Sequence, residues 1–266
     1  MNIAYRTGIT LSFAIVFLSA PPLCAQRVPA DWQQVGKAGE WSETAAMTAM
    51  NGLIWSIEAD GTLYKTNKRG EYAQVGPKGA FRHVTMIEAL DGLLYTVEDG
   101  TLYQTDPDAG TWRQLGEKGI WANTAAMVGM NGYLWSIENN GTLFKTDKQG
   151  VYEQIGPKGA FRHATLLAAM DGKLWTVEQG TLYSTDPVAG KWQRIGKEGE
   201  WGDTIALEAG SGFLWSLEND GTLYKTHKSG NYVQVGNKGE YRGTKMLVSM
   251  DGSLYTVEDG TMYRTR

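Results

Sequence analysis

Short apolar runs of four to seven residues, rich in β-branched and aromatic side chains, alternate with turn residues throughout the chain beyond its first 25 positions. In the first full stretch this pattern predicts strands at Thr44–Met50, Leu53–Glu58, Thr62–Thr66 and Tyr72–Val75, separated by Asn51-Gly52, Asp60-Gly61 and Lys68-Arg69-Gly70. Asn-Gly and Asp-Gly pairs between such runs are strong hairpin signals, because the tightest two-residue turns need positive φ at both positions. The same punctuation returns at Asp91-Gly92, Asn131-Gly132, Asp171-Gly172 and Asp251-Gly252, and no segment keeps a helical period.

The pattern repeats. An aromatic followed three residues later by an aliphatic–Gly pair stands at Trp32, Tyr72, Trp112, Tyr152, Trp192 and Tyr232, 40 residues apart at every step. Four short strands per 40-residue copy, six times over, predict an all-β, six-bladed β-propeller. Trp32–Val35 matches the last strand of a copy, and the sequence stops after a third strand at Thr265-Arg266. The N-terminal strand is therefore expected to complete the sixth blade and close the ring, leaving no free sheet edge at the seam. Copies alternate. Odd ones read Trp-Ser-x-Glu (Trp55–Glu58, Trp135–Glu138, Trp215–Glu218) with a longer second turn. Even ones have a longer third turn, as in Asp106-Pro107-Asp108-Ala109-Gly110. The ring thus has three-fold pseudosymmetry.

Residues 1–25 read as a secretory signal peptide: Arg6, an apolar run from Ile9 to Ala20, and a small residue, Ala25, before the expected cleavage. An acylated Cys24 and an uncleaved anchor are the alternatives. Residues 26–266 then form one propeller domain, secreted or periplasmic and not membrane-spanning. Cys24 is the single cysteine, so no disulfide is expected. The leader carries Arg6 and no acid, which leaves 24 basic against 29 acidic residues. That mild, interspersed balance argues against a nucleic-acid partner.

Candidate chemistry concentrates in the connection from the fourth strand to the next blade's first. An aromatic recurs there at Trp41, Phe81, Trp121, Phe161, Trp201 and Tyr241, preceded by lysines such as Lys37, Lys78 and Lys238. An aromatic platform beside charged groups suits a sugar, whose C–H face stacks on a ring while its hydroxyls hydrogen-bond. The competing explanation is that these rings are wedges between blades. Glu58, Glu98, Glu138, Glu178, Glu218 and Glu258 end the second strands near the same face; they are expected either to meet ligand hydroxyls, or to pair with the loop lysines or cap backbone N–H groups between blades. Arg82, Arg162 and Arg242 form a three-fold set in even copies, able to hold an anion through the planar guanidinium or to pack over a neighbouring aromatic. His83 and His163 do not have metal-ligand spacing. No nucleophile motif, phosphate loop or close carboxylate pair emerges, and neither a catalytic residue, a metal nor a cofactor is expected.

The run Gly52-Leu53 … Trp55, then Leu63-Tyr64-Lys65, then Tyr72, then Val75-Gly76 resembles the tectonin and tachylectin-type β-propeller repeat. The resemblance implies carbohydrate binding at several equivalent sites, often of N-acetylated sugars or cell-envelope glycans. The family's Gly-x-Trp element falls on Gly39 and Trp41, Gly119 and Trp121, and Gly199 and Trp201; even copies carry Phe81, Phe161 or Tyr241 instead. The expectation is an exported, non-catalytic, multivalent glycan-binding propeller. Its sites are placed at Trp41, Trp121 and Trp201 with Glu58, Glu138 and Glu218, and Arg82, Arg162 and Arg242 are further candidates. The alternatives are a protein-interaction scaffold and, more remotely, a propeller hydrolase or lyase.

Overall fold

The structure, a computed structural model, describes residues 26–28 and 31–265. The leader, its cleavage point and Cys24 lie outside the described residues. All regular elements among the described residues are strands. They form six four-stranded antiparallel blades, a β-propeller. Blade 1 runs Thr44–Met50, Leu53–Glu58, Leu63–Thr66 and Tyr72–Val75, and blades 2 to 5 follow in order, with first strands Val84–Leu90, Thr124–Met130, Ala164–Met170 and Thr204–Gly210. Blade 6 is Thr244–Met250, Ser253–Glu258 and Thr261–Thr265, completed by Trp32–Val35, which pairs Trp32 with Thr265 and Val35 with Met262. The six first strands stand side by side around the central channel.

One element was not foreseen. Gln26–Val28 adds a fifth strand, parallel to Tyr232–Val235, on the outer edge of blade 5. Three residues are too few to show an alternating pattern.

Most hairpins turn as their sequence demands. Asn51, Asp91, Asn131, Asp171 and Asp251 all adopt positive φ before their glycines. Ser211 and Gln179 do the same without the usual Asn or Asp. The second turns of odd blades differ. Asp60, Asn140 and Asp220 stay out of the left-handed region and accept a hydrogen bond from the amide of Thr62, Thr142 or Thr222 at 2.9 Å. These are side-chain-capped turns in which only the glycine has positive φ.

The blades are joined by one repeated clamp. Each loop aromatic donates its backbone N–H to the glycine carbonyl of the preceding blade's second turn: Trp41 to Gly260, Phe81 to Gly61, Trp121 to Gly100, Phe161 to Gly141, Trp201 to Gly180 and Tyr241 to Gly221, at 2.8–2.9 Å. Glycine is required at those turns. A Cβ on Gly61 would lie 2.5 Å from the Arg82 amide, and one on Gly100 would lie 2.6 Å from Ala122 Cβ. The aromatic rings then enter six apolar clusters, one per blade–blade interface. In one such cluster Phe81 packs with Trp55, Ile57 and Leu63 of blade 1 and Leu94 of blade 2. Second strands are buried on both faces, which is why they read as nearly continuous apolar runs. On the opposite end of the ring, Lys68–Asp251, Lys148–Asp91 and Lys228–Asp171 tie each odd blade to the even blade before it, at 2.6–3.2 Å. These pairs are half-exposed, so each contributes only ~0–1 kcal/mol.

Two acids line the channel on opposite blades. Glu88 Oε1 accepts the Gly129 amide (3.1 Å), and Glu208 Oε1 accepts the Ser249 amide (2.9 Å), each reaching the next blade. Both keep some contact with the channel space but are hemmed in by protein. Burial pushes Glu88 up to about 7 and Glu208 up to about 8, the latter helped by the Glu88 charge across the channel.

Two predictions follow from closure and from the channel acids. Deleting residues 26–36 from the propeller removes both N-terminal strands; a large fall in melting temperature is expected, and an unchanged one would refute the seam. Because Glu88 and Glu208 have raised folded-state pKa values, the native state holds more protons than the unfolded chain between about pH 4.5 and 8. Stability is therefore highest at the acidic end of that window and declines as pH rises through it. Thermal melts of Glu88→Gln/Glu208→Gln should show a shallower decline between pH 5 and 8 than the parent.

Candidate functional site

Alternate residues of a strand share a side, and in blade 1 the register stacks them. Ser56 lies opposite Tyr64, and Thr66 lies opposite Tyr72. The side they share with Glu58 faces the loop that carries Trp41. Together with Glu40, Glu43 and Asp60 they line a cleft of about 320 Å³. Blade 5 repeats the arrangement with Ser216, Glu218, Tyr224, Tyr232, Trp201, Glu200, Asp203 and Asp220, and with Lys238 at the rim; this cleft measures about 390 Å³. The equivalent space in blade 3, between Ile120, Trp121, Ser136, Glu138, Phe144 and Tyr152, has closed to about 20 Å³.

Each group has a defined physical setting. Trp41, Trp121 and Trp201 are wedges, only 5%, 6% and 4% exposed, and each presents just a margin of its indole to the cleft. The open aromatic face is supplied by the fourth strand. Tyr72 is 54% exposed and meets Tyr64 edge-on at 5.7 Å. Tyr232 meets Tyr224 edge-on at 5.5 Å, and its hydroxyl donates to Glu200 Oε1 at 3.0 Å. A bulge at the start of every first strand, between Thr44 and Ala46 in blade 1, sets Thr44 opposite Glu58. Thr44 Oγ1 donates to Glu58 Oε1 (3.1 Å), and Thr204 Oγ1 donates to Glu218 Oε1 (2.8 Å). Burial nevertheless holds Glu58 and Glu218 above the usual carboxylate range, outweighing those hydrogen bonds. Asp60 and Asp220 are held below it, first by the Thr62 and Thr222 side chains and further by Lys78 and Lys238.

The six second-strand glutamates do not pair with the loop lysines among the described residues. Hydroxyls of their own blades hold five of them, as Thr96 holds Glu98 at 2.7 Å, and Glu138 instead accepts from Asn140 at 3.3 Å. Two of the loop lysines go instead to turn aspartates: Lys78 to Asp60 (3.4 Å) and Lys238 to Asp220 (3.5 Å). The arginines stand apart from the Trp clefts. The backbones of Arg82, Arg162 and Arg242 cover Gly61, Gly141 and Gly221, and their side chains are exposed. Arg82 lines a separate cleft of about 360 Å³ with Glu98, Asp99, Thr101, Tyr103 and Lys118. His83 takes φ 69 and its counterpart Gly243 φ 95, a backbone geometry that accounts for glycine there.

In blades 4 and 6 a pair of rings occupies the equivalent space. Trp192 lies on Phe161 at a centroid distance of 4.3 Å, and Trp32 lies on Tyr241 at 5.2 Å with its Nε1–H donating to the Tyr241 hydroxyl at 2.6 Å. There the fourth-strand tryptophan takes up space that a tyrosine leaves open, whereas Trp112 of blade 2 is 68% exposed. The Tyr64–Tyr72 and Tyr224–Tyr232 pairs and the rim acids Glu40, Glu43, Glu200 and Asp203 were not singled out from the sequence. The signal that distinguishes blade 3 was nevertheless present: Ile120, Asn123 and Asn140 stand where blade 1 has Glu40, Glu43 and Asp60.

No protein-family model matches the chain, and no curated protein matches it in sequence. Solved structures do match in shape. A calcium-binding protein, regucalcin, from Agrobacterium tumefaciens strain C58 superimposes with a TM-score of 0.65 at 14% identity, covering 91% of this chain and 95% of its own. Virginiamycin B lyase from Staphylococcus aureus gives 0.58 at 14% identity, over 86% of this chain and 82% of its own. YCF48, solved with a D1 peptide, gives 0.58 at 10% identity, over 91% and 99%. At these identities the likeness concerns fold alone, and it places the chain among the six-bladed β-propellers.

Proposed function

We propose that this chain is an exported, non-catalytic glycan-binding module with recurrent sites on one face of the ring. The observation that carries it is the repeated cleft of blades 1 and 5: a tyrosine face, exposed in Tyr72 and partly exposed in Tyr232, an indole margin, and hydroxyl and carboxylate groups grouped around it. A pyranose offers the matching surfaces, a C–H face for Tyr72 or Tyr232 and hydroxyls for Glu58 or Glu218. The second turns and the fourth-to-first loops both lie at the same end of every blade, so the two clefts open on one face. Stacking on one ring contributes about 1 kcal/mol, which makes a single site weak. Two sites on a rigid ring raise retention on a multivalent glycan surface by roughly 10²–10⁴. A protein-interaction scaffold is the second reading, favoured by the exposed Trp112 and by a cleft of about 500 Å³ between blades 3 and 4 that includes Val188 and Trp192.

The test is a glycan array probed with residues 26–266 and with Tyr72→Ala/Tyr232→Ala. Because these rings are surface-accessible, the double variant should melt within a few degrees of the parent and lose most of its retention. Trp41→Ala should instead lower stability by about 3–5 kcal/mol, as expected for removing a buried wedge. An array with no bound glycan would overturn the reading, and so would full retention by the folded Tyr double variant.

A further inference from the structure

Apart from the glycan clefts, we infer that the outer edge of blade 3 takes up an extended strand of a partner protein, running parallel to Tyr152–Ile155 and setting an apolar, β-branched residue opposite Ile155. Blade 5 provides the precedent. Its fourth strand, Tyr232–Val235, carries Gln26–Val28 in parallel, with Arg27 opposite Gln234 and Val28 opposite Val235. In a hairpin ladder, alternate residues of the outer strand bond inward and the rest turn their N–H and C=O outward. The His227 amide donates to the Asn231 carbonyl. Counting from that pair, Tyr232 and Gln234 turn outward, and theirs are the groups that the added strand meets. By the parallel register the Val28 N–H points to the Gln234 carbonyl. With this strand in place Val235 is only 4% exposed.

Blade 3 presents the same edge uncovered. The Asp147 amide donates to the Val151 carbonyl in the same way, so Tyr152 and Gln154 turn outward, and no described strand pairs with them. Tyr152, Glu153 and Gln154 are exposed where Tyr232, Val233 and Gln234 are half-buried, and Ile155 is half-buried where Val235 is covered. Neighbouring turns separate odd edges from even ones. The third turn of an odd blade closes on the fourth strand of the even blade before it. A Cβ on Gly150 would lie 2.9 Å from Leu115 Cβ, and one on Gly230 would lie 3.0 Å from Ile195 Cγ2. The longer even turns stand off: a Cβ on Gly190 would meet nothing within 4 Å. Between that turn and the edge of blade 3 lies the cleft of about 500 Å³. In blade 6 no turn joins the third and fourth strands, and Gln26–Val28 lies beside blade 5 there instead.

The walls state what fits. Ile155, Pro157, Phe161, Val188 and Trp192 are apolar, and the two charged residues of the cleft, Lys145 and Glu153, pair with each other at 3.0 Å. The site thus offers outward backbone groups on one side and an uncharged apolar surface on the other, which is what strand addition uses: main-chain bonds for affinity and side-chain pockets for selection. An exposed edge of this kind is a ready acceptor for another chain. The protein's own Gln26–Val28 does not fill it. Three residues separate Val28 from Trp32, which is fixed in blade 6, so the arm stays on its own blade 5 in a second copy as in the first. The occupant is a strand of a different protein.

Amide hydrogen exchange of residues 26–266, followed by NMR, tests this with two probes. One is the peptide acetyl-Thr-Gln-Arg-Val-Thr-amide, which carries the blade 5 strand; the other is the same peptide methylated on the Val nitrogen. The Gln154 amide should exchange at least about ten-fold more slowly with the first peptide bound. The methylated peptide keeps every side chain but loses the N–H aimed at the Gln154 carbonyl, and should bind at least about ten-fold more weakly. Val188→Asp, at a position 88% exposed, should leave the melting temperature unchanged and weaken binding about five-fold or more. No protection of Gln154 at about 1 mM peptide would overturn the inference. So would equal binding of the methylated peptide, or undiminished protection in the Val188→Asp variant. Self-association of the parent that disappears on deleting residues 26–28 would make the occupant a second copy and overturn the partner assignment. In every case the glycan reading is judged separately, by the array.

Discussion

The ring depends on one backbone hydrogen bond made six times, from the loop aromatic of each blade to the second-turn glycine of the blade before it. That bond fixes where the loop crosses, and the crossing fixes where the ring enters the interface. It succeeds only because the receiving residue has no Cβ: at Gly141 a side chain would run into the Arg162 backbone. The interface clusters, the placement of Trp41 and Trp201, and the clefts beside them all derive from this contact. A blade without it would lose the contact that seats the loop ring against its neighbour's second strand.

The same clamp serves two kinds of blade. In blades 4 and 6 a fourth-strand tryptophan reaches the loop ring, as Trp192 does over Phe161. In odd blades the larger ring sits in the loop and the smaller one on the strand, so Tyr72 and Tyr232 stay partly outside. Half-buried Glu58 and Glu218 then face the cleft instead of a neighbouring blade, with pKa values pushed up by the same burial that places them.

Much of the architecture was legible in the chain. The 40-residue period, the Asn-Gly and Asp-Gly turns and the strand Trp32–Val35 carry the blade number, the hairpins and the closure. What stayed hidden was local competition. Asp60-Gly61 has the letters of a two-residue hairpin turn, but Asp60 bonds the Thr62 amide instead and takes ordinary φ. Trp41 is both wedge and cleft wall, because one ring has two sides and a periodic pattern cannot say which is wet. The partners of Trp41 in the cleft, Tyr64 and Tyr72, come from the third and fourth strands, and only the register brings them to the same side.

The N-terminal strands have a consequence for how the molecule is made. Gln33 and Arg264 hydrogen-bond at a separation of 231 residues, and Gln26–Val28 lies on a blade built from residues 204–235. These N-terminal strands therefore cannot take their places until residues 232–235 and 261–265 have been made. Early blades can form hairpins from local contacts, but the ring closes only once Thr261–Thr265 is available to Trp32–Val35, a slow and non-local step.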